Sequence, residues 1–218
     1  MTETKMDTER LISSLAREAT PVRRHAVGRR VTLGAAGGAL VTAVLVVVVL
    51  GLRSDLAQAM HGFSFWMKWA YTVSLGLVAI TATMRLARPT GDSLRPLWPL
   101  AVPALLLTGI GVGELARTPV QQWLAMWLGF SWRVCPWLVL TLSVPIFVGL
   151  LWSFRALAPV RLRAAGGTAG LAAGAWAATI YCLHCPEVSA LFVLTWYSLG
   201  IALAALMGAL LGPRLLRW

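Results

Sequence analysis

Six apolar stretches, joined by short polar segments, constrain this chain more than any other feature. They run from Val31 to Leu52, Phe65 to Met84, Leu97 to Leu115, Val134 to Phe154, Ala164 to Leu183 and Val188 to Leu211, and none carries a charged residue at its middle. A helix of about 20 residues spans roughly 30 Å, the thickness of a bilayer's hydrocarbon core. In lipid every backbone polar group needs a partner inside the segment, which a helix provides, and the period-two alternation of a membrane barrel is absent. The expected fold is all-α, a six-transmembrane-helix bundle. Charged residues make up only 12% of the chain against 58% apolar. Too little polar surface remains to wrap such segments in a soluble globule, which excludes a soluble enzyme, and the apolar excess excludes a disordered protein.

Charge sets the expected orientation. The chain has 19 Lys plus Arg against 8 Asp plus Glu, a net +11. Fifteen of the cations fall in residues 1–30, the second and fourth joints and the C-terminus, while four (Arg53, Lys68, Arg117 and Arg133) fall in the other joints or near them. Cations collect in cytoplasmic loops, so both termini are expected in the cytoplasm of a multi-pass protein of the bacterial inner membrane. The same asymmetry absorbs the basicity, and no direct nucleic-acid partner is implied. The chain divides into a cytosolic tail, residues 1–30, and a membrane domain, residues 31–218. The tail is too charged for a signal peptide, and no small-residue cleavage site follows the first apolar run.

Two short amphipathic elements flank this core. From Thr8 to Arg17 the tail reads as a helix, capped by Asp7 or Thr8 and stopped by Pro21, with Leu11, Ile12 and Leu15 on one face. A helix this short is marginal alone. It needs a surface: a protein groove, the membrane, or the bundle. In the third loop, Thr118-Pro119-Val120-Gln121 has the pattern of a helix start with a capping box. Val120, Trp123, Leu124, Trp127 and Leu128 then form one apolar stripe ending at Gly129, an interfacial helix or one packed on the bundle's rim. Glycines recur four apart at Gly34/Gly38, Gly109/Gly113, Gly166/Gly170/Gly174 and Gly208/Gly212, a spacing that lets helix backbones approach closely, most of all in the Gly166–Gly174 series. The lack of ionisable groups at depth argues against an ion-coupled pump.

Reactive side chains concentrate at the expected outer face. Cys182-Leu183-His184-Cys185-Pro186-Glu187 lies between the fifth and sixth segments, and Cys135 opens the fourth. Thiolate, imidazole and carboxylate together suit a soft metal; two thiols could instead form a disulfide; and buried free cysteines are often only small apolar residues. Cys182, one turn deeper than Cys185, fits the last description. His184 fits an interfacial polar residue, and Glu187 the N-terminal charge of the sixth helix. The spacing Cys182-x-x-Cys185 also matches a redox dithiol, which leaves a membrane thiol–disulfide oxidoreductase as one alternative and a metal transporter or channel as another.

One set of motifs is distinctive. Pro21-Val22-Arg23-Arg24-His25, Ser131-Trp132-Arg133-Val134-Cys135, His184-Cys185-Pro186-Glu187, Trp196-Tyr197-Ser198-Leu199-Gly200-Ile201 and Gly212-Pro213-Arg214-Leu215 occur in that order. Together they resemble the NrsF-like family, the proteobacterial membrane proteins called negative regulators of sigma F. The resemblance implies an anti-sigma factor rather than an enzyme. Such a protein holds an extracytoplasmic-function sigma factor at the inner membrane and releases it on a heavy-metal or oxidative cue. The family's two cysteines correspond to Cys135 and Cys185; Cys182 is an extra one. A metal ion would be the signal at these cysteines, not a resident cofactor. The tail, with Leu11, Ile12 and Leu15 as its apolar face, becomes the expected sigma-binding element.

Overall fold

The computed structural model describes residues 8, 10–14, 17, 26–87, 95–154 and 159–216, and among these every regular element is helical. Helix α1 (Ala26–Leu45) runs on into a wide π turn, Val46–Leu50, and ends at Gly51. A single turn, α2 (Leu56–Ala59), leads to α3 (Phe63–Leu86). A 3-10 segment (Arg95–Leu100) opens α4 (Ala101–Arg117), and another (Val120–Gln122) opens α5 (Trp123–Leu128). Then come α6 (Cys135–Phe154), α7 (Leu162–Tyr181), the short α8 (Ala190–Phe192), a π turn (Val193–Tyr197) and α9 (Ser198–Leu215).

Among the described residues five stretches are long and apolar enough to cross a membrane: Val27–Leu50, Phe63–Leu86, Leu97–Arg117, Cys135–Phe154 and Ala190–Leu215. The fifth segment of the sequence is also a helix, α7, of 20 residues, but glycine and alanine dilute its hydropathy. That composition suits its place. It packs against α9, α3, α6 and α1 at the centre of the bundle, and thirteen of its residues are buried. Outward faces remain apolar: Val48 is 75% exposed and Leu105 70%. A water-soluble monomer rarely shows so continuous an apolar exterior.

Glycine sets the closest contacts. A Cβ on Gly166 would strike the Gly208 carbonyl and one on Gly208 the Gly166 carbonyl, so α7 and α9 touch backbone to backbone. Gly170 meets Ala204 and Gly174 meets Ile201 along the same seam. On the other flank Gly34 of α1 and Gly149 of α6 oppose each other in the same reciprocal way. Gly109 and Gly113 have the same spacing yet nothing within 4 Å of an added Cβ. Two polar bonds stitch α1 to α6: Thr42 Oγ1 donates to the Leu142 carbonyl at 2.9 Å and Ser153 Oγ to the Arg30 carbonyl at 2.8 Å. The first lies one turn before Pro145, whose ring lacks the N–H that would otherwise serve the Thr141 carbonyl.

The start of α1, the end of α6, the start of α7 and the end of α9 share one end of the bundle, since Ser153 bonds Arg30 and Gly212 packs on Leu162. Gly51, Arg53, Lys68 and Cys135 lie at the other.

The third loop follows the sequence reading in having a helix, α5, but not in how the helix starts. Thr118 makes no cap; its hydroxyl donates back to the Glu114 carbonyl at 2.8 Å. Of the tail, residues 10–14 are helical, with Leu11 and Ile12 more than half exposed, while Leu15 and Pro21 lie outside the described residues.

Candidate functional site

The site is the connection from α7 to α8, residues 182–189, and the side chains that hold it. After Tyr181 a tight turn, in which the Cys185 N–H donates to the Tyr181 carbonyl at 3.0 Å, gives way to irregular chain through Ser189. Backbone outside a helix lacks the regular internal partners, so its polar groups must be met from elsewhere. Lys68, on the second turn of α3, donates from Nζ to the carbonyls of Cys185 (3.1 Å) and Glu187 (2.7 Å). Arg53 donates from Nη1 to the same Cys185 carbonyl at 3.3 Å and from its backbone N–H to the Leu183 carbonyl at 3.2 Å. His184 Nδ1 pairs with the Gly51 carbonyl at 2.9 Å, where φ of +77° favours glycine.

Two carboxylates complete the frame by each serving a different chain segment. Glu187 Oε1 accepts from the backbone N–H of Phe130 (2.7 Å) and Ser131 (3.0 Å) and from the Ser131 hydroxyl (3.0 Å). It therefore organises the turn into α6, not the start of the sixth segment as its sequence position suggests. Glu114, at the end of α4, takes that second role: its carboxylate accepts from the Ala190 N–H at 2.9 Å and the Ser189 hydroxyl at 3.0 Å. Gly129 makes the first arrangement possible, because it has φ of +58° and a Cβ there would overlap the Glu187 carboxylate. Arg53 also grips Asp55 through two 2.7 Å bonds, and these hold the Asp55 carboxyl below its ordinary pKa.

Cys135, Cys182 and Cys185 are all free thiols with no exposed surface. Burial therefore does not set Cys182 apart from the other two. Cys182 Sγ lies 3.2 Å from the Ala178 carbonyl, which accepts its weak S–H bond. Cys135, Cys182 and Cys185 belong to one buried apolar cluster. Tyr181 and Tyr197 pack ring to ring, 5.7 Å apart, in the same buried cluster. Among the described residues no group of three or more His, Cys, Asp and Glu forms a metal cage. His184 and Glu187 are committed to Gly51 and to the 130–131 turn respectively.

An aromatic rim surrounds this end. Trp196 lies 5.5 Å from Trp127 and 5.3 Å from Trp132, donates from Nε1 to the Trp127 carbonyl at 2.9 Å, and Arg133 sits 5.0 Å over Trp132. The α5 stripe faces outward, and Phe130 beside it is 99% exposed. Lys68, Glu114 and Arg53 hold this connection, and the sequence alone did not single them out for it. The usable signal was Lys68: an ammonium in an otherwise apolar helix has to find an internal partner.

Residues 15–218 match the family described as negative regulator of sigma F. A probable anti-sigma-F factor of Azospira oryzae is 38% identical over 213 residues, covering 98% of this chain and 100% of that protein. An anti-sigma-F factor of Caulobacter vibrioides is 39% identical over 215 residues, again 98% of this chain and 100% of the relative. No solved structure matches the chain. With the whole helical core and the 182–189 connection inside the matched region, the chain belongs to the negative regulators of sigma F, a family of regulators and not of enzymes.

Proposed function

We propose that this protein is an anti-sigma factor of the bacterial inner membrane. It holds an extracytoplasmic-function sigma factor through residues 1–30 and releases it when a heavy metal or oxidant reaches Cys135 and Cys185 on the outer face. One observation carries the reading: the thiols and the start of α1 stand at opposite ends of a single close-packed bundle. A cue at one end changes binding at the other by favouring one bundle arrangement over another. A release of about 10-fold to 100-fold requires roughly 1.4–2.8 kcal/mol of coupling, within the usual allosteric range.

Six crossings and cytoplasmic termini belong to this reading. In support, α7 has the length of a crossing helix, and both ends of the 26–216 core emerge from one end of the bundle. Reporter fusions near Asp92 and after Trp218 should both read cytoplasmic; a periplasmic signal after Trp218 would mean an odd number of crossings. The α5 stripe, with Trp123 and Trp127 at headgroup depth, lies along the outer interface.

The binding claim rests on Leu11, Ile12 and Leu15. Placing Asp at both Leu11 and Leu15 charges the apolar face that Leu11, Ile12 and Leu15 form in the sequence. Capture of the sigma factor from co-expressing cells should drop more than about 10-fold, the loss expected for an anchor worth over roughly 1.4 kcal/mol. Membrane insertion should be unchanged. Full capture by the double variant would move the binding surface to the inner joints.

A further inference from the structure

The seam between α7 and α9 ends in a basic recess. Arg163 stands in the first turn of α7 and Arg214 in the last turn of α9, and both are exposed. Leu162 and Gly212 bring the two helices together here, since a Cβ on Gly212 would strike the Leu162 carbonyl. Beside that contact lies a recess of about 480 Å³, lined by Arg163, Leu210, Pro213 and Arg214. Its size falls within the range of small-ligand sites, about 300–1,000 Å³.

Charge in the recess is unbalanced. Its two charged side chains are both guanidinium groups, and neither forms an ion pair among the described residues. The described acids, Asp55, Glu114 and Glu187, all belong to the other end of the bundle. Two cations lining one recess favour an anion in it. The start of α7 adds to the same preference: no side chain caps its first turn, and free N–H groups at a helix start attract negative charge. The rest of the wall is apolar. Leu210 is 62% exposed and continues the outward surface of α9, with Leu206 also exposed one turn back on the same face. A soluble anion would use only the cations. Cations and hydrocarbon together match a molecule in which a phosphate group is joined to acyl chains.

We propose that this recess binds the headgroup of an anionic phospholipid, one lipid per chain. Arg163 and Arg214 each offer five N–H donors in a planar fork that fits phosphate oxygens. Leu210 and Pro213 supply the apolar contact for the carbon atoms next to the phosphate. Held by one arginine from each helix, the lipid ties the start of α7 to the end of α9. The inference rests on the reading that the bundle spans a membrane with this end in the cytoplasmic headgroup layer, and it is independent of what the tail holds and of the thiols.

The test uses full-length protein in detergent micelles with equimolar phosphatidylglycerol and phosphatidylcholine of the same acyl chains, read by native mass spectrometry. Wild type should retain one phosphatidylglycerol per chain, preferred over phosphatidylcholine about 5-fold or more, as two arginines near a headgroup support. Arg163→Gln and Arg214→Gln should each lower that ratio at least about 2-fold, and the double variant should bring it near unity. Arg85→Gln removes a cation from the last turn of α3, at the same end of the bundle, and should leave the ratio unchanged. Equal falls in Arg85→Gln and Arg163→Gln would mean a diffuse surface potential and overturn the proposal. Displacement of the lipid by millimolar glycerol phosphate would overturn it too, as the sign of a site for a soluble anion. So would loss of sigma-factor capture by the double variant with its lipid preference intact, the sign of a protein-docking face. Flotation with vesicles separates the lipid site from the membrane reading. A chain that floats yet shows no preference overturns the lipid site alone, and a chain that fails to float overturns both.

Discussion

Gly208→Val should separate α7 from α9 and remove most of the folded protein, whereas Gly109→Val should leave it folded. Both substitutions add the same atoms to the middle of an apolar helix. At Gly208 the first of these atoms meets the Gly166 carbonyl, and backbone cannot rotate away as a side-chain tip can. The helices must move apart along a seam that also includes Gly170 and Gly174, so each neighbouring contact loosens together. Overpacking of this kind costs about 1–3 kcal/mol when the surroundings can adjust. A backbone-to-backbone contact adjusts least, which places Gly208→Val at the upper end or beyond. At Gly109 there is nothing within 4 Å to displace. Thermal denaturation in detergent, read by tryptophan fluorescence, is the measurement. For a chain of this size each kcal/mol corresponds to roughly 2–4 °C. Equal melting of the two variants would mean that the α7–α9 seam does not hold the bundle together.

Cys135→Ser and Cys185→Ser should each yield a protein that still captures the sigma factor but no longer lets it go. The substitution preserves size and removes the thiolate, which is the species that attacks oxidants and ligates soft metals. On the proposed reading capture depends on residues 1–30, which lead into α1 at the end of the bundle opposite the thiols, so the two activities separate. With a sigma-dependent reporter, wild type should rise about 10-fold or more on adding cadmium or a thiol oxidant, and each variant should stay near its basal level. Cys182→Ser should respond closer to wild type, because on the proposed reading Cys135 and Cys185 are the sensing pair. Because Cys182 is as buried as the others, the comparison tests pairing and not access. Wild-type responses from both Cys135→Ser and Cys185→Ser would end the thiol-sensor reading.

What the sequence revealed, and what it hid, divides along a physical line. Helix positions were legible because hydropathy is a property of consecutive residues: the segment read as Val134 to Phe154 is the helix Cys135–Phe154. The Gly166–Gly174 contact was legible because four-residue spacing fixes a helix face. Spacing could not say whether a neighbour arrives at that face, and so Gly109 and Gly113 looked the same as Gly208 and Gly212. The site was legible in its residues but not in its wiring. Cys135, Cys185 and the His184–Glu187 run stood out, yet nothing local shows that Lys68 reaches residues more than a hundred positions away. The exchange of roles between Glu114 and Glu187 is hidden for the same reason. Each acid stands near a helix end of its own, and only the folded arrangement decides which free N–H groups it meets. The two π turns, Val46–Leu50 and Val193–Tyr197, have no signature in their runs of apolar residues.

The place of α7 has a consequence for biosynthesis. Its glycine face is made to fit α9, but Gly212 lies 31 residues beyond Tyr181 and leaves the ribosome later. At roughly 5–20 residues per second the delay is about 2–6 s. On the six-crossing reading, the nascent α7 is the helix least able to hold its place in lipid by its own hydropathy, and during that interval it has only α1, α3 and α6 to lean on. Its final seat is then fixed by the last helix to be made. A chain truncated after Tyr181 would present the insertion machinery with a segment it has little reason to retain, and quality-control proteases with an unclaimed helix.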